Sequence, residues 1–168
     1  MAAKFEELPK DIHWHMIGHV QTNKIKYMAP FVSLVHGVDR EKVLKELNKQ
    51  AAKNERTINC LLQVHIATED TKFGFSQDEL TELAGRLKSY ENVKVVGLMG
   101  MATNTENQMQ IKQEFENLHT LFLNLKEKLG GDFNTLSMGM SGDYKMAIEK
   151  GSNMIRVGSS IFGARNYG

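Results

Sequence analysis

Alternation constrains this fold more than any other feature of the sequence. Short β-rich runs take turns with longer segments of helical period from one end of the chain to the other. The predicted strands are 13–18, 34–38, 58–66, 94–101, 135–140 and 154–157. Between them, Val43, Leu44, Leu47 and Ala51 share one helical face, and Leu80, Leu83, Ala84 and Leu87 share a second. Ile111, Phe115, Leu118, Phe122 and Leu125 make a third. Strands joined through helices run parallel, because a tight turn can only return the chain antiparallel. The expected class is therefore α/β.

Capping signals mark where the helices begin and end. Ser76-Gln77-Asp78-Glu79 and Thr105-Glu106-Asn107-Gln108 both fit a capping box. Gly130-Gly131 closes the long helix and Gly151 the short one after Asp143. No Gly-x-Gly-x-x-Gly follows the first strand, so a dinucleotide fold has no support. Polar residues and glycines instead gather at the carboxyl end of nearly every strand, among them Gly18-His19, Val38-Asp39, Thr68-Glu69-Asp70 and Ala102-Thr103. That distribution fits a (β/α) TIM-type barrel, whose site is built on the carboxyl face. Six strands are visible in 168 residues, whereas a complete barrel has eight in about 250. An incomplete barrel is the expectation.

The last two strand ends carry the chemistry. Leu136-Ser137-Met138-Gly139-Met140-Ser141 and Arg156-Val157-Gly158-Ser159 each run from an apolar strand into glycine and serine. Bare backbone N–H groups beside a hydroxyl suit a phosphate, and in barrels the phosphate pocket often follows the last two strands. Ser141, Gly158 and Ser159 are the candidate cradle, with Arg156 just ahead of it. An arginine between Ile155 and Val157 needs a partner, either a ligand or a neighbouring carboxylate.

Lys and Arg number 21 against 20 Asp and Glu, and they are scattered, so a nucleic-acid partner is not expected. No apolar stretch approaches the ~18 residues of a membrane span, and the first residues lack a signal-peptide core. Cys60 has no partner for a disulfide and lies in an apolar run, as a buried thiol would. A soluble, reducing, cytoplasmic setting is expected.

Several segments together resemble the pyridoxal 5′-phosphate (PLP) homeostasis protein family. They are Trp14-His15-Met16-Ile17-Gly18-His19-Val20-Gln21-Thr22-Asn23-Lys24, Lys72-Phe73-Gly74, Gly97-Leu98-Met99-Gly100-Met101, Leu136 to Ser141, and Val157-Gly158-Ser159-Ser160-Ile161-Phe162-Gly163. The resemblance covers essentially the whole chain and implies one PLP-binding barrel domain, residues 1–168, of the alanine racemase N-terminal type. It implies a cofactor carrier without clear catalytic activity, with PLP-dependent apoenzymes as partners. It gives Ser141, Gly158 and Ser159 the phosphate and places Arg156 against the pyridine nitrogen.

The resemblance also implies a departure. The family's Schiff-base lysine lies at the end of a first strand that has no counterpart here, so the chain is expected to lack the amino-terminal part of the family's barrel. Lys24 and Lys72 are the lysines a substitute could come from, although solvated surface lysines are the plainer expectation. The alternatives are a racemase-like PLP enzyme and a non-functional fragment. Racemisation needs a base on each face of its substrate, and no motif here supplies the pair. His13, His15 and His19 lack the companions of a zinc site; His15 is expected to be a hydrogen-bonded barrel residue and the other two exposed. Met99, Met101, Met138 and Met140 are expected to fill the barrel interior or line the pocket floor.

Overall fold

The computed structural model describes residues 1–69 and 73–163. In chain order the elements are α1 (Ala2–Glu7), β1 (His15–Met16), α2 (Ile25–Met28), β2 (Leu34–Val38), α3 (Glu41–Lys53), β3 (Ile58–Val64), α4 (Gln77–Ala84), β4 (Val93–Gly100), α5 (Gln108–Leu129), β5 (Thr135–Met140), α6 (Tyr144–Glu149), β6 (Met154–Arg156) and α7 (Ser159–Phe162). Single 3-10 turns occupy Thr22–Lys24 and Leu87–Ser89. All six predicted strands are present. The first is shorter than its 13–18 pattern because, at the edge of the sheet, it is paired only to β2.

The sheet is parallel throughout and its order is strictly sequential, β1-β2-β3-β4-β5-β6. A doubly wound sheet reverses direction at a switch point and carries helices on both faces. Sequential order winds the chain one way only, as a barrel does. The apolar residues divide accordingly. Val35, Cys60, Leu62, Leu98, Leu136 and Met138 join the large core with Leu44 and Leu47 of α3 and with Phe115 and Leu118 of α5. Leu34, Leu61 and Met99 form a separate small cluster on the other face. Met154 of β6 packs against residues from β2, β3 and β4, so the sheet is curled and that second face is concave. The fold is an incomplete (β/α) barrel.

The predicted helical faces are the buried ones. Val43, Leu44, Leu47 and Ala51 are fully covered, as are Leu80, Leu83, Phe115 and Leu118. Ser76 caps α4 in a complete capping box with Glu79. The second predicted box does not form. Asn107 caps α5 by accepting from Gln110 N, while Thr105 Oγ1 accepts from Asn107 N two residues on. Gln108 then falls at the first helical position, too early to reach back. Gly130 ends α5 at φ 91, a conformation a side chain disfavours. Cys60 is buried and free, with its thiol pushed up to about 12 by burial.

The methionines divide differently from expectation. Met99 is buried on the concave face and Met101 packs beside it. Met138 belongs to the core under the helices, because strand alternation turns it opposite to Ser137. Met140, at the strand's end, is exposed. Among the described residues no helix is long and apolar enough to cross a membrane.

Candidate functional site

Successive side chains on a strand point to opposite faces, so a polar residue at an inward position must find its partners inside the barrel. Inward polar residues that are buried include His36 on β2, Ser137 on β5 and Arg156 on β6. The curl brings them together. Arg156 Nη1 donates to Ser137 Oγ at 2.8 Å, and Nη2 donates to the Gly100 carbonyl at 3.0 Å. Ser137 Oγ also lies 3.1 Å from His36 Nδ1, and His36 Nε2 lies 3.1 Å from His15 Nδ1. His15 is thus hydrogen-bonded into the barrel wall.

The electrostatics of this cluster follow from burial. Burial pushes the Arg156 guanidinium down to about 10, with Asp143 opposing the shift, so it remains a cation at neutral pH. Burial, together with His15 and Arg156, pushes His36 down to about 3, so this ring is neutral. Among the described residues no carboxylate lies within ion-pair distance of Arg156. Its Nε is buried and makes no hydrogen bond. A buried cation whose Nε–H is unpaired is a donor for an acceptor atom on a ligand.

The cradle residues lie one step further along the same strands, where Met140 is paired with Arg156 across β5 and β6. Ser141 Oγ accepts from Gly158 N at 3.1 Å and from Ser160 N at 3.4 Å, tying the two strand ends together. Asp143 Oδ1 accepts from Met140 N at 2.6 Å and steadies the first of those ends. Gly158 is the N-cap of α7 and Ser159 its exposed first residue. The four predicted residues therefore occupy two adjacent strand ends, where a buried cation is followed by exposed backbone and an exposed hydroxyl.

Lys24 is exposed, with Nζ 5.9 Å from the centre of the Tyr27 ring. Lys72 lies outside the described residues. His13 is exposed; His19 is exposed yet tied down, its Nδ1 3.1 Å from Oδ2 of the buried Asp39 and its ring against Phe73. Asp39 Oδ1 also takes Arg40 Nη1 at 2.6 Å. His19, Asp39, Arg40 and Phe73 border a cleft of about 750 Å³ that Glu79 and Arg86 of the α4 region complete. Among the described residues no three His, Cys, Asp or Glu side chains are grouped to hold a metal ion.

His36 and Ser137 are site residues that motif and composition did not single out. Their signal was available: His36 has the same parity as Leu34 in a strand that is apolar on both faces, an inward polar residue with no surface to reach.

Comparison with known proteins agrees with this fold. The family described as alanine racemase, N-terminal domain, matches residues 6–166. The pyridoxal phosphate homeostasis protein of Aquifex aeolicus is 38% identical over 165 residues, covering 98% of this chain and 72% of that protein. PipY of Synechococcus elongatus PCC7942, 28% identical, superposes with a TM-score of 0.88 in its structure without PLP, covering 96% of this chain and 75% of PipY. With PLP bound the TM-score is 0.85. The alanine racemase of Streptomyces coelicolor A3(2) shares the fold at a TM-score of 0.75, with 12% identity over 98% of this chain and 44% of that enzyme.

Proposed function

The chain belongs to the alanine racemase N-terminal domain family and within it to the pyridoxal phosphate homeostasis proteins, and on that basis we propose that it binds PLP as a carrier rather than as an enzyme. The observation that carries this reading is Arg156: a buried cation, held by Ser137 and Gly100, with its Nε unpaired beside the paired strand ends. Ser141, Gly158 and Ser159 would hold the phosphate, through the Ser159 hydroxyl and the hydroxyl hydrogen of Ser141, whose oxygen is fixed by Gly158 N and Ser160 N. Arg156 faces the ring. A relative solved with PLP bound, PipY, supports the ligand's identity.

PLP supplies a reactive aldehyde and an electron-accepting ring when bound. A permanent cation against the pyridine nitrogen keeps that nitrogen unprotonated and weakens the ring as an electron sink. Such a site holds PLP without activating it, which suits a protein that hands the cofactor to PLP-dependent apoenzymes in the cytoplasm. Racemase activity is not part of this reading.

The test is titration of the purified chain with PLP, followed by its absorbance and by calorimetry, with pyridoxal lacking the phosphate as comparator. Saturable binding of PLP that pyridoxal matches only weakly, and that Ser141→Ala and Arg156→Met each weaken, is the expected result. No saturation in the millimolar range from a folded sample overturns it.

A further inference from the structure

The polar chain that ends on Arg156 begins at the other end of the barrel. His15 lies opposite Leu34 at the start of β2 and lines a depression of about 380 Å³ at the amino ends of the strands, with Ser33, Asn59 and Asp132. Arg156 lies opposite Met140, the last residue of β5. Four side chains, His15, His36, Ser137 and Arg156, thus connect the amino rim to the carboxyl face through the interior.

Hydrogen counting fixes the direction of this chain. An arginine only donates, so its bond to Ser137 Oγ occupies a lone pair and leaves the hydroxyl hydrogen for another partner. The nearby acceptor is His36 Nδ1 at 3.1 Å. A neutral imidazole carries one N–H, so with Nδ1 accepting, Nε2 donates, and it does so to His15 Nδ1. The opposite tautomer points two donors at Ser137 Oγ and strands the hydroxyl hydrogen.

We infer that His36, held in its Nε2–H tautomer by His15, is a positioning residue that fixes the Ser137 hydroxyl and, through it, the guanidinium of Arg156 against the bound ligand. The ligand end of this inference rests on the PLP reading above; the positioning of Arg156 is a property of the chain alone. The ionisable groups facing His36 are His15 from β1 and Arg156 from β6. On the same concave face β3 and β4 contribute the apolar Leu61 and Met99, and β3 the uncharged Gln63, whose Nε2 donates to the Phe73 carbonyl. Protonating His15 turns its Nδ1 into a donor. His36 then meets it only by moving its own hydrogen to Nδ1, and Ser137 loses its acceptor. A proton taken up at the amino rim is thereby felt at the carboxyl face.

The experiment is long-range nitrogen NMR of the histidine rings, read together with the Arg156 Nε–H resonance and a PLP titration. It uses the unliganded full chain, Ser137→Ala and His15→Ala; the last changes a solvent-reaching residue and spares the core. At pH 7 His36 should show a protonated Nε2 and an unprotonated Nδ1. Ser137→Ala should shift the Arg156 resonance, and His15→Ala should weaken PLP binding by about three- to tenfold. A protonated Nδ1 on His36 at pH 7, or an Arg156 resonance indifferent to Ser137→Ala, overturns the inference. PLP affinity unchanged in His15→Ala also overturns it. If the wild type shows the assigned tautomer and a coupled Arg156 yet takes up no PLP, the ligand reading fails while the positioning of Arg156 is upheld.

Discussion

His36 Nδ1 and Ser137 Oγ lie 3.1 Å apart although they stand on β2 and β5, with two strands between them. In a flat sheet those strands would be separated by roughly 14 Å, three spacings of about 4.8 Å. The contact exists because the sheet curls far enough for inward side chains to converge. The same curl brings Arg156 of β6 onto the carbonyl of Gly100 at the end of β4. Site and fold share a cause: strands wound in one direction present their inward polar residues to one another.

Acid should weaken this fold through His36. In the unfolded chain a histidine takes up its proton near pH 6.5, whereas His36 in the fold stays neutral down to about 3. Between those values the unfolded state binds more protons. Stability is therefore fully present above pH 6.5 and declines as pH falls through that window, by at most about 1.4 kcal/mol per pH step for one group. Urea midpoints measured between pH 7 and pH 4 should fall accordingly, and His36→Gln should flatten the slope. An equal slope in the variant would mean that other groups govern the acid limb.

Gly97 is predicted to be intolerant of any side chain. A Cβ there would lie 1.7 Å from the Thr135 carbonyl oxygen, backbone against backbone, at the residue pair where β4 and β5 are in register. Nothing flexible can give way. Gly97→Ala should cost more than about 3 kcal/mol, visible as a large drop in denaturation midpoint, while Gly131→Ala, with open space around it, should change little.

Ser152 carries more of the β5–β6 junction than its single hydroxyl suggests. Its Oγ lies 2.7 Å from Met138 O, 3.0 Å from Met154 O and 3.2 Å from Leu136 O, and accepts from Met138 N at 3.4 Å. One hydrogen serves one acceptor at a time, and the shortest contact is to Met138. Ser152→Ala should therefore cost about 1–2 kcal/mol, a fall in melting temperature of about 2–8 °C for a chain of this length. Ser152→Thr keeps the hydroxyl and should recover most of it.

The strands and the barrel class were legible because they rest on local pattern. Val35, Val38, Cys60 and Leu62 announce buried strands, and Leu44, Leu47, Phe115 and Leu118 carry the helical period that packs on them. The strand-end positions of Ser141 and Gly158 were legible for the same reason. What pattern does not encode is contact between distant strands. Ser137 reads as one more small residue in Leu136 to Ser141, and only closure against His36 and Arg156, 101 and 19 residues away, reveals its part. The Thr105 box failed on a similar point, because two overlapping capping signals compete and Asn107, two residues nearer the helix, wins.

Arg156 should prove to be a residue kept at the expense of stability. It is buried, charged and without a carboxylate among the described residues, and one of its donors is unpaired. Removing a charge from such a place relieves several kcal/mol of desolvation, while the Gly100 carbonyl left behind costs about 1–3 kcal/mol. Arg156→Met fills similar space and should melt at the same temperature as the wild type or above it. The same variant should lose PLP affinity by at least about tenfold, since a charge-assisted bond to the ring disappears. Arg156→Lys keeps the charge but not the fork, so it should fall between the two in affinity without the gain in stability. Paired melting curves and PLP titrations of the three proteins check this. A drop of more than about 10 °C in Arg156→Met, several kcal/mol for a chain of this size, would instead make the arginine a structural member of the barrel wall, with its ligand role secondary.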